Sequence, residues 1–80
     1  MSDEIRTSPG YKWIVHHPDL LGGKPAIKGM RISVAMVLES LAIGMTAEDL
    51  AEDYPGFPKE SIPEVLTFAA KQASLPLKAA

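Results

Sequence analysis

A glycine-rich stretch, residues 22–34, holds the side chains of this sequence that are best suited to contact phosphate groups. They are Lys24, Lys28 and Arg31. Glycine permits the positive φ angles that turns need, and Pro25 fixes its own φ angle and restrains the residue before it. The pattern predicts a tight, cationic β-turn or hairpin that leads into a helix at Ser33.

The order Gly22-Gly23-Lys24 also invites comparison with a nucleotide-binding phosphate loop. That motif needs a glycine five residues before its second glycine, and a Ser or Thr directly after the lysine. Pro18 and Pro25 occupy these two positions, so no hydroxyl follows the lysine to bind magnesium. The sequence therefore favours a structural turn over a nucleotide site.

The remaining polar residues predict neither catalysis nor metal binding. His16 and His17 are adjacent, and neighbouring residues of a strand point to opposite faces, so the two imidazoles are poorly placed to share a metal. The chain has no cysteine to complete a zinc site. No Ser/His/Asp set can be assembled, so we expect no enzymatic activity and no cofactor. An acidic run is interpreted as a solvated helix face; its members are Glu48, Asp49, Glu52 and Asp53.

Charge is distributed unevenly along the 80 residues, whose net charge is −2. Residues 1–32 carry five basic and three acidic side chains, whereas residues 33–80 carry three basic and seven acidic ones. Nucleic-acid binding depends strongly on cations that neutralise phosphates. Any phosphate contact is therefore expected on the N-terminal part.

Length and composition predict a single small domain. A chain this short buries only roughly 60% of its unfolded surface. With 46% apolar residues, it carries more apolar material than so small a body hides easily, which favours a homodimer. No apolar run approaches the roughly 18 residues of a membrane span, and the first four residues are too acidic for a signal peptide. We therefore expect a cytoplasmic protein that does not contact membranes.

The fold class predicted is mostly α, with short N-terminal strands or a hairpin followed by a three-helix, helix-turn-helix-like core. Residues 1–10 are expected to form a flexible arm, residues 11–73 the domain, and residues 74–80 a tail. Within the domain, residues 11–32 hold the strands and residues 33–73 the helices. The strands are expected at 11–16, 26–28 and 31–32.

Apolar spacing and capping residues predict the three helices. The first spans about 34–43 with Ser33 as N-cap, and the second about 47–53 with Thr46 as N-cap. The third covers roughly 59–73, with a loose first turn and then a capping box formed by Ser61 and Glu64, which puts Pro63 in the first regular turn. Its predicted buried face is Ile62, Val65, Leu66, Ala69 and Ala73.

The second and third helices, joined by a glycine-containing turn, fit a helix-turn-helix. Lys59 and Ser61 would then lie near the DNA groove. Glu60 and Glu64 suit that position poorly, because phosphates repel carboxylates and most base edges accept hydrogen bonds. A three-helix core without DNA contact therefore stays open as an interpretation.

Three blocks of the sequence resemble domain-of-unknown-function family 433. They are Gly-Gly-Lys-Pro-x-Ile-x-Gly-x-Arg-Ile-x-Val at 22–34, Leu-x-x-Gly-Met-Thr-x-Glu-Asp-Leu at 41–50 and Asp-Tyr-Pro at 53–55. Residues 62–70 are similar to that family's last helix. The resemblance implies a small prokaryotic, antitoxin-like domain with a helix-turn-helix-like core, often paired with a PIN-like ribonuclease toxin.

The expected function is that of an antitoxin-like DNA-binding protein, which binds a PIN-like toxin and its own operator DNA. The expected DNA contacts are Lys24, Lys28, Arg31, Lys59 and Ser61. The expected contacts with the toxin are Leu75, Leu77 and Lys78 in the tail. A stand-alone transcriptional regulator, and a protein-interaction or dimerisation domain that does not bind DNA, are the alternatives.

Overall fold

The computed structural model describes residues 6–74, and its helices follow a small N-terminal sheet, which confirms the predicted fold class. The three strands are β1 (Arg6–Thr7), β2 (Ile14–His16) and β3 (Ala26–Ile27). The three helices are α1 (Val34–Ala42), α2 (Ala47–Asp53) and α3 (Ile62–Ser74). Short 3-10 turns cover Leu21–Gly23 and Lys59–Ser61. The expected toxin contacts Leu75, Leu77 and Lys78 lie outside the described residues.

The sheet is antiparallel, in the order β1-β2-β3. Thr7 pairs with Val15, and Val15 also pairs with Ala26 on its other side. Strand β1 lies in the segment expected to be a flexible arm, so sequence reasoning missed it. The strand expected at 31–32 is absent; a single bridge between Ala26 and Ser33 takes its place.

Residues 26–33 form the tight hairpin that the sequence predicted. The amide of Ile27 donates to the carbonyl of Ile32 at 3.0 Å, and that of Met30 donates to the carbonyl of Ile27 at 3.0 Å. Gly29 lies in the turn that the hydrogen bond between Met30 and Ile27 closes. Its φ is 81°, a conformation that other residues adopt only with strain. The hairpin therefore brings the chain directly to the first helix.

Helices α1 and α2 begin at the predicted caps. The Ser33 hydroxyl accepts a hydrogen bond from the amide of Met36 at 2.9 Å. Thr46 and Asp49 form a complete capping box: the Thr46 hydroxyl accepts from the Asp49 amide, and the Asp49 carboxylate accepts from the Thr46 amide. Each such cap satisfies amides that would otherwise have no partner at a helix start.

Helix α3 begins at Ile62, so Pro63 lies in its first turn, as predicted, where a proline costs no hydrogen bond. The predicted capping box at Ser61 and Glu64 is wrong. Ser61 is fully buried, and its hydroxyl donates to the carbonyl of Pro58 at 2.7 Å instead of accepting from an amide. The Glu64 carboxylate binds elsewhere, as described below.

One apolar core lies between the sheet and the helices. Its buried members are Ile14, Ile27, Ile32, Val34, Val37, Leu50, Phe57 and Val65. A smaller cluster, formed by Val15, Leu20 and Ala26, covers the other side of the sheet. Leu66 was expected in the core but is 49% exposed, whereas Phe68 packs against the core from the neighbouring face of α3.

No helix among residues 6–74 is long and apolar enough to cross a membrane.

Candidate nucleic-acid interface

The three predicted phosphate contacts lie within the hairpin of residues 26–33 or just before it. Lys24, Lys28 and Arg31 are all exposed. Within residues 6–74, none of the three side chains forms an ion pair with a carboxylate. These three residues are called the cationic turn below.

Backbone hydrogen bonds on both sides hold the cationic turn in place. The amide of Val34 donates to the carbonyl of Pro25 at 2.9 Å, which fixes the turn to the start of α1. The amide of Lys28 donates to the carbonyl of Trp13 at 2.8 Å, which fixes it to the sheet. A cation on a fixed backbone loses less conformational entropy on binding than one on a mobile loop.

Trp13 directly precedes β2 and Lys28 directly follows β3, and the amide of Lys28 donates to the carbonyl of Trp13. The side chain of Lys12 bends over Trp13, with Nζ 5.4 Å from the centre of the ring. A third lysine and a partly buried indole therefore lie beside Lys28 of the cationic turn.

The Glu64 carboxylate joins this edge of the sheet to the first turn of α3. Oε1 accepts from the amide of Trp13 at 2.7 Å, and both carboxylate oxygens lie 2.9 Å from the amide of Lys12. A carboxylate in the first turn also interacts favourably with the positive end of the helix dipole. We call this arrangement the Glu64 clamp.

The Glu64 clamp changes the electrostatic expectation for the start of α3. The sequence suggested that Glu60 and Glu64 would both repel DNA there. Glu64 is partly buried and accepts hydrogen bonds from two backbone amides, so its carboxylate oxygens are already bound by donors within the protein. Glu60 remains exposed.

Of the two DNA contacts expected before α3, one is accessible and one is not. Lys59 is exposed, and it precedes Glu64 by five residues, a rise of about 9 Å along the helical segment. Ser61 has no exposed surface, and its hydroxyl is bound to the carbonyl of Pro58. The expected contribution of Ser61 to DNA binding is therefore wrong.

The acidic residues gather on α2, away from the cationic turn in sequence. The side chains of Glu48, Asp49, Glu52 and Asp53 are all exposed. Only Asp49 has a structural role, in the capping box at Thr46. This face is the solvated helix face that the sequence predicted.

The two histidines have local hydrogen-bonding roles. Nε2 of His16 lies 2.7 Å from the hydroxyl of the buried Ser8, which directly follows β1. Nδ1 of His17 accepts from the amide of Asp19 at 3.0 Å. Among residues 6–74, no group of three or more His, Cys, Asp or Glu side chains is placed to hold a metal ion.

An apolar groove of about 440 Å³ runs between the start of α1 and the C-terminal half of α3. Pro25, Val34, Leu38, Phe68 and Ala69 are among its lining residues. Lys24, from the cationic turn, lies in its lining too. The groove is thus a surface on which a protein partner could bury apolar side chains.

Comparison with known proteins places this arrangement in a family. The family described as "Protein of unknown function (DUF433)" matches residues 14–69. The chain belongs to the DUF433 family. The matched range of this DUF433 domain includes the cationic turn, Lys59 and Glu64, whereas Lys12 and Trp13 lie just before it.

The DUF433 chain is also similar to a curated relative, "Uncharacterized protein y4eO" of Sinorhizobium fredii, with 37% identity over 49 residues. The matched segment covers 61% of this chain and 22% of the relative. This chain thus corresponds to about a fifth of that longer protein. No solved structure matches the chain.

Proposed function

We propose that this DUF433 protein is an antitoxin-like DNA-binding protein, which binds duplex operator DNA and a PIN-like ribonuclease toxin. The observation that supports DNA binding is the cationic turn: Lys24, Lys28 and Arg31 are exposed, lack carboxylate partners within residues 6–74 and stand on a firmly hydrogen-bonded backbone. Lys59 extends the proposed surface toward the start of α3.

The separation of charge makes such binding compatible with the net charge of −2. Exposed charges separated by more than roughly 8 Å are largely screened at physiological salt. Cations that lie farther than this from the four carboxylates of α2 can therefore attract phosphates. DNA would approach the cationic turn, and the acidic face of α2 would remain in solvent.

Toxin binding is the part of the proposal that the family resemblance suggests. The apolar groove beside α3 is compatible with it, because protein interfaces combine an apolar centre with a polar rim. The tail residues Leu75, Leu77 and Lys78 remain the proposed contacts with the toxin, because Lys78 can pair with the acidic metal-binding site expected of a PIN-like ribonuclease.

Duplex binding is tested with the variant Lys24→Gln/Lys28→Gln/Arg31→Gln. We expect wild-type protein to bind a duplex that carries the sequence upstream of its own gene, and the triple variant to bind it at least tenfold more weakly at about 0.15 M salt. Lys71→Gln removes a positive charge from a lysine that is not among the proposed DNA contacts; it is the control for a general charge effect and should bind as wild type does. Equal affinity of the triple variant and the wild type would contradict the proposed surface.

Toxin binding is tested by co-expression with a neighbouring gene that encodes a small ribonuclease-like protein. The proposal expects growth to be restored and the two proteins to elute as one complex. Unchanged toxicity without a complex would contradict the antitoxin role. If DNA binding persisted in that case, a stand-alone regulator would be the supported function.

A protein-interaction domain without DNA binding is the second candidate, and the apolar groove favours it. Here the groove would bind a partner, and the cationic turn would serve only as part of that contact. Retained partner binding together with absence of any salt-dependent DNA binding would support this alternative.

A further inference from the structure

We infer that Lys12 is a further phosphate-contacting residue of the DNA interface, held in position by the Trp13 ring and by the Glu64 clamp. This inference rests on the proposed DNA binding and extends its surface from the cationic turn across the edge of the sheet. Neither Lys12 nor Trp13 was among the residues that the sequence suggested for DNA binding.

The first support is the position of Lys12 next to the cationic turn. Trp13 lies beside Lys28 of the cationic turn, because the amide of Lys28 donates to its carbonyl at 2.8 Å. Lys12 precedes Trp13 and reaches over its ring. Successive phosphates of one DNA strand are separated by several ångströms, so neighbouring cations can bind neighbouring phosphates.

The second support is that the ammonium group of Lys12 is oriented by an aromatic ring and has no carboxylate partner among residues 6–74. Its Nζ lies 5.4 Å from the centre of the Trp13 ring, within the range of a cation–π contact. Within residues 6–74 it forms no ion pair with a carboxylate. The contact restricts the long side chain, which lowers the entropy lost when the ammonium binds a phosphate.

The third support is the backbone beneath this side chain. The Glu64 carboxylate binds the amides of both Lys12 and Trp13, at 2.9 Å and 2.7 Å. Residues 12 and 13 are therefore fixed to the first turn of α3 although they belong to no strand or helix. Glu64 thus acts as a positioning residue, and it does so without presenting its carboxylate to DNA.

A second contact between a lysine and an aromatic ring can be compared with that of Lys12 and Trp13. Lys71 lies over the ring of Tyr11, with Nζ 5.9 Å from the ring centre, which is the same kind of contact as that of Lys12 with Trp13. Lys71 stands on the C-terminal half of α3. Lys12→Gln and Lys71→Gln therefore remove the same charge from the same type of contact at two places.

The test measures how duplex affinity depends on salt for the wild type, Lys12→Gln and Lys71→Gln. Neutralising one phosphate contact should lower the slope of log affinity against log salt by about 0.9. We expect that decrease for Lys12→Gln and no decrease for Lys71→Gln. Because Trp13 is the sole tryptophan, duplex should also change the fluorescence of the wild type, and this change should become smaller in Lys12→Gln.

The variant Glu64→Gln tests whether Glu64 positions Lys12 for contact with a phosphate. A glutamine oxygen is a neutral and therefore weaker acceptor for the two amides, and its NH2 group takes the place of the second oxygen that lies against the Lys12 amide. Lys12 is then held less firmly, and replacing Lys12 in that background should lower the slope further by less than about 0.9. Circular dichroism checks that this variant is folded. Because the side chain of Lys12 is exposed, Lys12→Gln decides the outcome even if Glu64→Gln does not fold.

The outcomes separate this inference from the proposed function. A wild-type slope in Lys12→Gln, combined with a lower slope in the triple variant of the cationic turn, would overturn the role of Lys12 and leave DNA binding in place. An equal decrease in Lys12→Gln and Lys71→Gln would show a general charge effect and would also overturn it. Absence of salt-dependent binding by the wild type would overturn both.

Discussion

The starts of α2 and α3 carry the same local sequence pattern but use it differently. Thr46 and Asp49 form a capping box, in which each side chain binds the backbone amide of the other residue. Ser61 and Glu64 have the same spacing, yet Ser61 donates to Pro58 and Glu64 binds residues more than 50 positions away in sequence. The first pair stabilises only its own helix, whereas the second connects a helix to the sheet.

The difference follows from what lies beside each helix start. Thr46 and Asp49 are exposed, so no other part of the protein competes for their side chains. Ser61 is fully buried, and the segment of Lys12 and Trp13 presents two amides to Glu64. A capping pattern therefore shows which hydrogen bonds a helix start can form, and the surrounding structure decides which ones it does form.

The largest contrast is expected from placing an aspartate at each cap. Thr46→Asp should leave stability nearly unchanged, because aspartate caps as well as threonine does. Ser61→Asp should lower the free energy of unfolding by about 3 kcal/mol or more, because it buries a charge and replaces a donor by an acceptor beside a carbonyl. Urea denaturation of both variants measures this contrast, and equal effects would contradict the different use of the two caps.

A smaller contrast is expected from truncating the two carboxylates. Glu64→Ala should cost about 2 kcal/mol, because the amides of Lys12 and Trp13 lose a charged acceptor and Trp13 is partly buried. Asp49→Ala should cost about 1 kcal/mol or less, because water can reach its partner. Thermal or urea unfolding, followed by Trp13 fluorescence, gives both values. A larger loss for Asp49→Ala would show that the Glu64 clamp contributes little.

The smallest effect is expected from Ser61→Ala on DNA binding. The hydroxyl of Ser61 is buried, so its removal should change duplex affinity by less than about twofold, although it lowers the free energy of unfolding by about 0.5–1 kcal/mol. Lys59→Gln, two residues earlier and exposed, is the matched comparison and should weaken binding. A strong loss of affinity in a folded Ser61→Ala protein would restore Ser61 to the interface.

Sequence reasoning succeeded where structure depends on neighbouring residues. The hairpin before α1 follows from Pro25 and Gly29, and the caps at Ser33 and Thr46 follow from side chains that bind amides three residues ahead. The accessibility of the cationic turn was predictable for the same reason, because polar residues in a turn lie at the surface.

Sequence reasoning failed where residues far apart in sequence come together in the structure. The Glu64 clamp joins residues 51 and 52 positions apart, and no local pattern indicates that partner. Strand β1 has two residues and forms only because β2 offers it a free edge. The sequence did not predict the exposure of Leu66. The helix period gives the spacing of the residues that share one face, but the neighbouring elements determine which face is buried. The position of Lys12 against α3 was missed for the same reason, because its backbone amide binds Glu64, 52 positions away.

The central claim is that the cationic turn binds duplex DNA, and the salt dependence of that binding tests it most directly. Duplex affinity is measured at several salt concentrations for the wild type and for Lys24→Gln/Lys28→Gln/Arg31→Gln. If all three side chains contact phosphates, the slope of log affinity against log salt should decrease by about 2.7 in the triple variant. Equal slopes for the two proteins, or duplex binding that does not respond to salt, would contradict the claim.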